Sequence, residues 1–355
     1  MKIASMERSI FKLIELVRRD QMNLFRKTAT AIAIVAGVFA VSALSFADSM
    51  MPGKGVTVRP IEGTNLEEKF QHQIIYRALM ELGYEIAEPQ EVEYQTIHLA
   101  LGTGDGDFTA VHWDPLHAAF FEESGGADKM TKVGSYIEGA LQGYLVDSDS
   151  YAAGVQNLGD LKDPEVAKRF DADGNGTADL AGCVPGWGCE RVIEHQLTEF
   201  GLRDTVTHNQ GAYNAVIAET IAREQAGEAV IYYTWTPFWV SGVLVPGDNV
   251  QWISVPYSSL PDGREADTMF NGMDLGFEVN ALRVVANNEF LSANPSANAV
   301  FEVAKLDIND VSAQNLKMRD GEDGLDDIAR HVEQWIAANQ DTFNSWVEAG
   351  KKAAM

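Results

Sequence analysis

The spacing of apolar residues along this chain alternates several times between that of a β-strand and that of an α-helix. Residues 55–60 (GVTVRP) indicate a strand, and residues 65–82 (NLEEKFQHQIIYRALMEL) carry apolar side chains at helical spacing. Further strands are predicted at 86–94, 108–113 and 140–146. Strands that alternate with helices are typical of a mostly parallel sheet with helices on its faces, so we expect an α/β fold.

The middle of the chain predicts a second unit of the same kind. The sequence turns polar and rich in Asp and Ser after residue 146. Beyond it, helices are predicted at 190–200 and 213–225, and strands at 229–234 and 251–256. Residues 276–287 again indicate a strand, and 295–355 indicate amphipathic helices. We therefore expect a discontinuous lobe I, formed by 48–146 and 255–355, and an inserted lobe II at 147–254.

The N-terminal segment 1–47 has the features of a secretory signal peptide. Arg26 and Lys27 precede an apolar stretch at 29–44, and Ser-Phe-Ala then ends at Ala47, where we expect cleavage. A retained membrane anchor is the alternative, although sixteen residues are few for a span of about 20. Because 25 residues before Arg26 make a long leader, Met22 is a candidate for the true start.

Removal of this leader would leave 308 residues, about two domains by the usual size of domains. The leader holds seven Lys/Arg and three Asp/Glu, so the net charge would change from −25 to −29. Such acidity excludes nucleic acid as a partner, because phosphate binding needs basic side chains. Acidic residues spread along the chain indicate a solvated surface rather than a binding tail.

Three tryptophans stand where apolar runs give way to turns. Their segments are FTAVHWDPLH (108–117), CVPGWGC (183–189) and VIYYTWTPFW (230–239). In the first and third, a strand-like run ends in Trp113 or Trp235, and a capping residue and a proline follow. A capping residue before proline predicts a helix start. We therefore expect both tryptophans between the carboxyl end of a strand and the N-terminus of a helix.

That position favours a particular class of ligand. Open α/β sheets bind ligands at the carboxyl ends of their strands, and helix N-termini attract anions. The face of an indole attracts a desolvated cation. Trp113, Trp187 and Trp235 therefore predict a site for a small zwitterion with a quaternary ammonium and a carboxylate. Packing is the alternative for any tryptophan, and we assign it to Trp239, Trp252, Trp335 and Trp346.

His117 and the cysteine loop supply candidate donors for the carboxylate. His117 lies two residues after Pro115; it would donate a hydrogen bond if it faced the cleft, and a surface histidine is the alternative. In an exported chain the only two cysteines, Cys183 and Cys189, predict a disulfide that fixes the loop between them. Buried thiols or a metal pair are the alternatives. The N–H groups of Gly188 and Cys189 would lead into a helix beginning near residue 190.

An Asp-rich segment follows the spacing of a calcium loop. Oxygen-bearing side chains occupy alternate positions, at Asp171, Asp173, Asn175, Thr177 and Asp179. Gly182 stands where a bidentate Glu is expected, so the alternative is a plain Asp/Gly-rich turn. A bound calcium ion would be structural, and no other cofactor is expected. No G-x-S-x-G, H-E-x-x-H or Walker motif is present, and we predict that the protein is not an enzyme.

Four segments together resemble a known family. FTAVHWDPLH, GCVPGWGCE, THNQGAYNAV (207–216) and YYTWTPFWVS (232–241) are similar to the periplasmic glycine betaine/proline betaine-binding proteins of ProU-type ABC transporters, the ProX or OpuAC-like family. The resemblance runs from about Gly53 to near the C-terminus. It implies a two-lobed, type II periplasmic binding protein, in which Trp113, Trp187 and Trp235 enclose the trimethylammonium group. The carboxylate would be held by His117, Gly188 and Cys189.

The resemblance also implies a periplasmic location and two partners, a membrane permease and its ATPase. We therefore expect an exported protein that captures betaine-like osmoprotectants and delivers them to an ABC importer. Two alternatives remain open. One is a soluble sensor subunit for the same compounds, and the other is a calcium-dependent exported hydrolase that uses the Asp171 loop. The sequence does not distinguish glycine betaine from proline betaine, carnitine or dimethylsulfoniopropionate.

Overall fold

Two β-sheets organise the part of the chain that the computed structural model describes, residues 51–355. The predicted leader, including Met22 and the cleavage site near Ala47, lies outside the described residues. Within residues 51–355, every helix is too short or too polar to cross a membrane.

Fourteen strands and thirteen α-helices are defined in this part of the chain. The strands are β1 (Thr57–Val58), β2 (Ile61–Glu62), β3 (Glu85–Ile86), β4 (Gln90–Glu91), β5 (Phe108–Asp114), β6 (Met130–Ala140), β7 (Gln142–Asp147), β8 (Ala178–Ala181), β9 (Val206–Asn209), β10 (Ile231–Trp235), β11 (Val250–Ile253), β12 (Met269–Phe270), β13 (Met273–Asp274) and β14 (Asn280–Asn287). The helices are α1 (Lys69–Glu81), α2 (Tyr94–Thr103), α3 (Ala118–Glu123), α4 (Gly126–Lys129), α5 (Ser148–Ala152), α6 (Pro164–Ala167), α7 (Gly188–Glu199), α8 (Tyr213–Gln225), α9 (Asn288–Ala293), α10 (Pro295–Val303), α11 (Ile308–Arg319), α12 (Leu325–Ala338) and α13 (Gln340–Ala353).

The first sheet is built around the order β5-β14-β6, with two short parallel pairs, β1–β3 and β2–β4, beside it. Every residue of β5 before Asp114 is buried. A strand that is buried on both faces needs an apolar run rather than alternation, and the segment FTAVHW supplies one. Helices α1, α10 and α13 pack together over this sheet and enclose Phe70, Phe301 and Trp346.

The second sheet has the order β11-β7-β10-β8-β9. Strands β10, β8 and β9 run parallel, whereas β7 is antiparallel to β10 and β11. In the first sheet β14 is likewise antiparallel to β5 and β6. Strands β7 and β14 each begin where the chain passes from one sheet to the other. Strand β14 therefore starts beside the end of β5, and β7 starts beside the end of β10. Each runs antiparallel to that neighbour.

The strand pairing corrects the predicted boundaries between the lobes. We predicted that lobe I ends at residue 146, but Gln142 of β7 pairs with Trp235 of β10 in the second sheet. The segment after residue 254 also stays with that sheet, because Gln196 Nε2 donates to the Gly276 carbonyl (2.6 Å). The polar residues after 146 form α5 rather than a linker. We therefore propose crossings near residues 141 and 279, with lobe I at 51–140 and 280–355 and lobe II at 142–278.

Most of the predicted elements are found near their expected positions. A 3-10 turn at Leu66–Glu68 leads directly into helix α1. Together they confirm the helix expected at 65–82. The strand predicted at 86–94 is wrong, because only the short β3 and β4 fall there and Tyr94 begins α2. Trp335 and Trp346 stack with ring centroids 5.8 Å apart, which fits the packing role expected for them.

Candidate ligand-binding site

A cavity lies between the two lobes and holds about 310 Å³ of empty space, part of it open to solvent. Side chains and backbone of both lobes line it: Asn65, Glu68, Tyr94, Trp113, Leu116, His117, Gln142, Trp187, Gly188, Cys189, Tyr233 and Trp235. All six residues that the sequence singles out for ligand contact belong to this set. The structure thus brings them together, and their contacts to a ligand stay a prediction.

Aromatic rings form most of the cavity wall. Trp187 and Trp235 meet edge to face with centroids 5.6 Å apart, and Tyr94 of lobe I lies 5.8 Å from Trp187 in the same manner. Trp113 stands at the end of β5 and is buried, so lobe I contributes one indole and lobe II contributes two. Indole rings drawn from both lobes can cover a cation only when the lobes are together.

The helix starts that we predicted after Trp113 and Trp235 are wrong. Asp114 does not cap a helix; its carboxylate binds Lys132 Nζ (2.7 Å) and Arg283 Nε (2.9 Å). Thr236 Oγ1 accepts from the Leu141 N–H (3.2 Å), and only a 3-10 turn follows, at Trp239–Gly242. Both oxygens have other partners and are therefore unavailable as caps. Helix α3 begins only at Ala118.

Helix α7 supplies the N-terminus that faces the cavity. It begins at Gly188, and Gly188 and Cys189 both line the cavity. The first N–H groups of a helix have no acceptor within the helix and carry partial positive charge. The predicted disulfide between Cys183 and Cys189 is confirmed, and Gly186 adopts φ +89°, which favours glycine. The loop before α7 is thus fixed in one shape.

The two lobes also approach each other closely at Gly188. A Cβ on Gly188 would lie 2.9 Å from Leu116 Cγ and 3.1 Å from His117 Cδ2. A side chain there would push these residues of lobe I away. The absence of a side chain therefore lets the Gly188 backbone and the His117 ring face the same part of the cavity.

The fold decides which nitrogen of His117 carries the proton. The Trp113 N–H donates to His117 Nδ1 (3.3 Å), so the neutral ring has its proton on Nε2. Burial, together with nearby His98 and His112, lowers the pKa of His117 well below its usual value. His117 is therefore neutral and offers an Nε2–H. With the Gly188 and Cys189 N–H groups it forms a donor set suited to a carboxylate.

Two further histidines support His117 from behind. His98 Nδ1 donates to the Tyr94 carbonyl (2.6 Å), and His98 Nε2 therefore accepts from His112 Nδ1 (2.8 Å). Ring nitrogens of the three histidines lie within 4.8 Å of one another. Burial lowers the pKa of His98 to about 3. Hydrogen bonds occupy both ring nitrogens of His98, and burial lowers the pKa of all three rings, so the cluster is a neutral scaffold for the His117 ring.

The sequence did not point to Glu68, Tyr94, Gln142 or Tyr233, which also line the cavity. Glu68 falls in the first turn of a predicted helix, where an acidic residue is ordinarily solvated. In the structure it is buried, and burial raises its pKa to about 8. Tyr94 was included in a predicted strand. No helix start was predicted there, and no sequence pattern around Tyr94 indicated a shared cavity.

The predicted calcium loop lies apart from this cavity. Carboxylate oxygens of Asp171, Asp173 and Asp179 come within 4.8 Å of one another. Asp171 accepts the N–H groups of three following residues, and Thr177 Oγ1 contacts Thr207 (2.6 Å). The loop runs into β8, which contains Asp179, whereas the cysteine loop follows that strand. None of the five predicted calcium ligands lines the cavity.

Comparison with known proteins adds relatives over nearly the whole chain. The glycine betaine-binding periplasmic protein OusX of Dickeya dadantii is 48% identical over 312 residues, 87% of this chain and 94% of that protein. The glycine betaine/proline betaine-binding periplasmic protein of Escherichia coli is 46% identical over 323 residues, 90% of this chain and 96% of that protein.

Solved structures share the fold at low sequence identity. Lactococcal OpuAC, in a closed conformation with glycine betaine, has a TM-score of 0.62 at 16% identity and covers 82% of this chain and 99% of its own. A choline-binding protein of an ABC transporter in complex with choline has a TM-score of 0.66 at 14% identity, with 84% and 96% covered. These likenesses confirm the two-lobed fold of type II periplasmic binding proteins.

The family described as the substrate-binding domain of ABC-type glycine betaine transport systems, OpuAC, matches residues 57–338. That range contains both sheets and every residue of the interlobe cavity. The chain therefore belongs to the OpuAC family of substrate-binding domains of ABC-type glycine betaine transport systems.

Proposed function

We propose that this chain captures glycine betaine and related betaines in the interlobe cavity and delivers them to a membrane permease and its ATPase. The observation that carries the proposal is the pairing of an indole enclosure with a set of N–H donors in one cavity. Trp113, Trp187 and Trp235 would surround the quaternary ammonium group. His117 Nε2–H and the Gly188 and Cys189 N–H groups would bind the carboxylate.

The expected interaction energies are sufficient for useful affinity. A desolvated cation gains up to about 2 kcal/mol from each indole face, less than additively. Hydrogen bonds to a charged group contribute about 1.5–3 kcal/mol. After the cost of association, about −8 kcal/mol, a micromolar affinity, is within reach.

Binding would act by shifting an equilibrium between open and closed lobes. In the closed arrangement the lobes already touch, as where Trp239 Nε1 of lobe II donates to Glu67 Oε1 of lobe I (3.2 Å). Only the closed form lets both lobes contact the same ligand. That difference in affinity is what drives a ligand-induced closure.

Titration calorimetry on the purified residues 48–355 tests the proposal. The panel is glycine betaine, proline betaine, carnitine, dimethylsulfoniopropionate and choline. We expect the tightest binding from a betaine, and weaker binding from choline because it lacks a carboxylate for the donor set. Absence of binding to every carboxylate-bearing member of the panel would contradict the proposal.

A deletion strain distinguishes import from sensing. We expect that loss of this gene abolishes rescue of growth by glycine betaine at high salt, since capture precedes import. Uptake of labelled betaine measures the same step directly. Unchanged uptake together with a lost response to betaine would instead support a sensor.

Export of the chain and the absence of catalysis are also part of the proposal. We propose cleavage after Ala47, which N-terminal sequencing of the exported protein would test by finding Asp48 first. Assays of the purified protein with ester and glycoside substrates should show no turnover. Turnover of either would support the hydrolase alternative.

Substitution of His117 by phenylalanine should weaken betaine binding by about tenfold or more and spare choline. Phenylalanine fills a similar volume but removes the Nε2–H, and one hydrogen bond to a charged group is about 1.5–3 kcal/mol. Calorimetry with both ligands measures the difference. Phe290→Leu, a change in lobe I away from the cavity, is the control. Equal losses for betaine and choline would mean that His117 acts only by packing.

Calcium at the Asp171 loop stays a prediction. If the loop binds calcium, millimolar calcium should raise the melting temperature relative to EDTA, because a ligand of the native state stabilises it. Betaine affinity should be the same in both conditions, since none of the predicted calcium ligands lines the cavity. Asp173→Asn would be the variant that loses the shift. An identical melting temperature with and without calcium would exclude the ion.

A further inference from the structure

Glu68 is a buried carboxylate in the wall of the ligand cavity. Its Oε1 accepts from the Tyr94 hydroxyl (2.8 Å) and from Trp113 Nε1 (3.4 Å). Its Oε2 has no hydrogen-bond partner within residues 51–355. Tyr94 and Trp113 themselves line the cavity. The carboxylate is thus joined to an indole edge of the proposed cation enclosure and has unused capacity to interact.

The acidic residues nearest to Glu68 do not balance its charge. Glu67 is also buried and points to lobe II, where it accepts from Trp239 Nε1 (3.2 Å) and Asn214 Nδ2 (3.4 Å). Glu62 is held by Lys69 Nζ (2.8 Å). Both carboxylates act on Glu68 in the direction that raises its pKa, after the larger effect of burial.

No cation on the packed elements compensates Glu68 either. Lys69, the nearest ammonium along the chain, is bound between Glu62 and Glu91. Burial lowers the pKa of His72 in α1 and of His117 across the cavity, so both rings are neutral. Burial raises the pKa of Tyr94 well above its usual value, so its hydroxyl stays neutral. Among the described residues that face it, Glu68 therefore meets neutral donors and other acids.

We propose that Glu68 is the counter-ion of the ligand's quaternary ammonium group and makes the cavity select cations over neutral groups of the same shape. This inference rests on the proposed function. A cation enclosed by Trp113 lies near the carboxylate that its indole N–H contacts, in a cavity with little water to weaken the attraction. A ligand without positive charge gains no such attraction, because the raised pKa of Glu68 keeps that carboxyl protonated and neutral at pH 7.

Proton release on binding follows from the same geometry. Burial raises the pKa of Glu68 to about 8, so the empty closed cavity holds a proton there at pH 7. An ammonium group in contact favours the ionised form and lowers that pKa. Betaine affinity should therefore be greatest above pH 8 and fall as pH decreases through 7. The fall can reach tenfold per unit, the limit for one proton.

The experiment compares glycine betaine with 3,3-dimethylbutyrate, its carbon isostere. The two share their shape and carboxylate, so only the positive charge differs. Calorimetry between pH 6.5 and 9, in buffers of different ionisation enthalpy, gives both affinity and proton release. For the unaltered protein we expect release of nearly one proton with betaine at pH 7 and none with the isostere. The isostere also reports any proton exchange at His117, since it carries the carboxylate.

Glu68→Gln keeps an acceptor for Tyr94 and Trp113 but removes the charge. We expect it to abolish proton release, to flatten the pH profile, and to reduce the betaine-to-isostere affinity ratio by about tenfold or more. Glu67→Gln is the matched control, because Glu67 is a buried acid with one unpartnered oxygen in the same turn but does not line the cavity. Its proton release should be only slightly less than that of the unaltered protein, because the Glu67 charge raises the pKa of Glu68 by less than burial does.

The outcomes separate the inference from the proposed function. Failure of the unaltered protein to bind any betaine would refute the function. Betaine binding without proton release, or an unchanged affinity ratio in Glu68→Gln, would overturn the counter-ion role while leaving the function in place. If Glu68→Gln failed to fold, the proton release and pH profile of the unaltered protein would still decide the matter.

Discussion

Trp187→Ala is expected to reduce glycine betaine affinity by about thirtyfold while the protein stays folded. Loss of one desolvated indole face removes about 2 kcal/mol, and each 1.4 kcal/mol is tenfold in affinity. Trp187 is only partly buried and precedes α7, so its removal takes little from the hydrophobic core. The gap beside Trp235 would also admit water, which weakens the attraction between the cation and the remaining rings.

Calorimetry measures the affinity of this variant, and circular dichroism and thermal melting report its fold. Trp252→Ala is the matched control, because Trp252 is similarly half-buried in lobe II but lies outside the cavity. It should bind betaine as the unaltered protein does. An unchanged affinity in Trp187→Ala would show that the indole does not contact the cation, and the proposed enclosure would have to be abandoned.

Gly188→Ala is expected to lower betaine affinity by about tenfold to a hundredfold through a steric effect on lobe closure. The new Cβ would lie 2.9 Å from Leu116 Cγ and 3.1 Å from His117 Cδ2, both on the opposite lobe. Overpacking of this kind typically costs 1–3 kcal/mol. The methyl group would also displace the Gly188 N–H from the carboxylate. In an open arrangement the same methyl meets nothing on lobe I, so the stability of each lobe should be retained.

Small-angle X-ray scattering tests the closure directly. The unaltered protein should become more compact on addition of saturating betaine, and Gly188→Ala should do so less or not at all. Gly211→Ala, where the nearest atom to the added Cβ is Val216 Cγ2 at 3.3 Å within lobe II, is the control. Normal compaction and normal affinity in Gly188→Ala would mean that the lobes do not approach at this point.

Much of the fold could be predicted from the sequence because it depends on local patterns. The apolar run before Trp113 predicted β5, and the helical spacing at 65–82 predicted α1. The presence of only two cysteines in a chain expected to be exported predicted the disulfide, which the structure confirms. Patterns of this kind show which faces of a helix or strand are buried. Each pattern lies within one segment, so it can be recognised without knowledge of the rest of the fold.

The lobe boundaries and the helix starts near the site were harder to predict. Strand β7 belongs to lobe II because it pairs with β10, about ninety residues later, and no local pattern records that partner. Asp114 looked like a helix cap, yet Lys132 and Arg283 take its carboxylate. Competition between a local cap and a distant ion pair can be judged only when the distant partners are in place.

By itself the sequence determined the α/β class, the family, and the six residues that were expected to meet a ligand. These follow from residue types at short spacing, such as the tryptophans at the ends of apolar runs and the glycines around Trp187. Only the tertiary structure decided that Glu68 and Tyr94 share the cavity with them, and that His117 offers its Nε2–H. The physical reason is that burial and hydrogen bonding of a polar group depend on neighbours from both lobes. Those neighbours set its charge state, and they are brought together only by the fold.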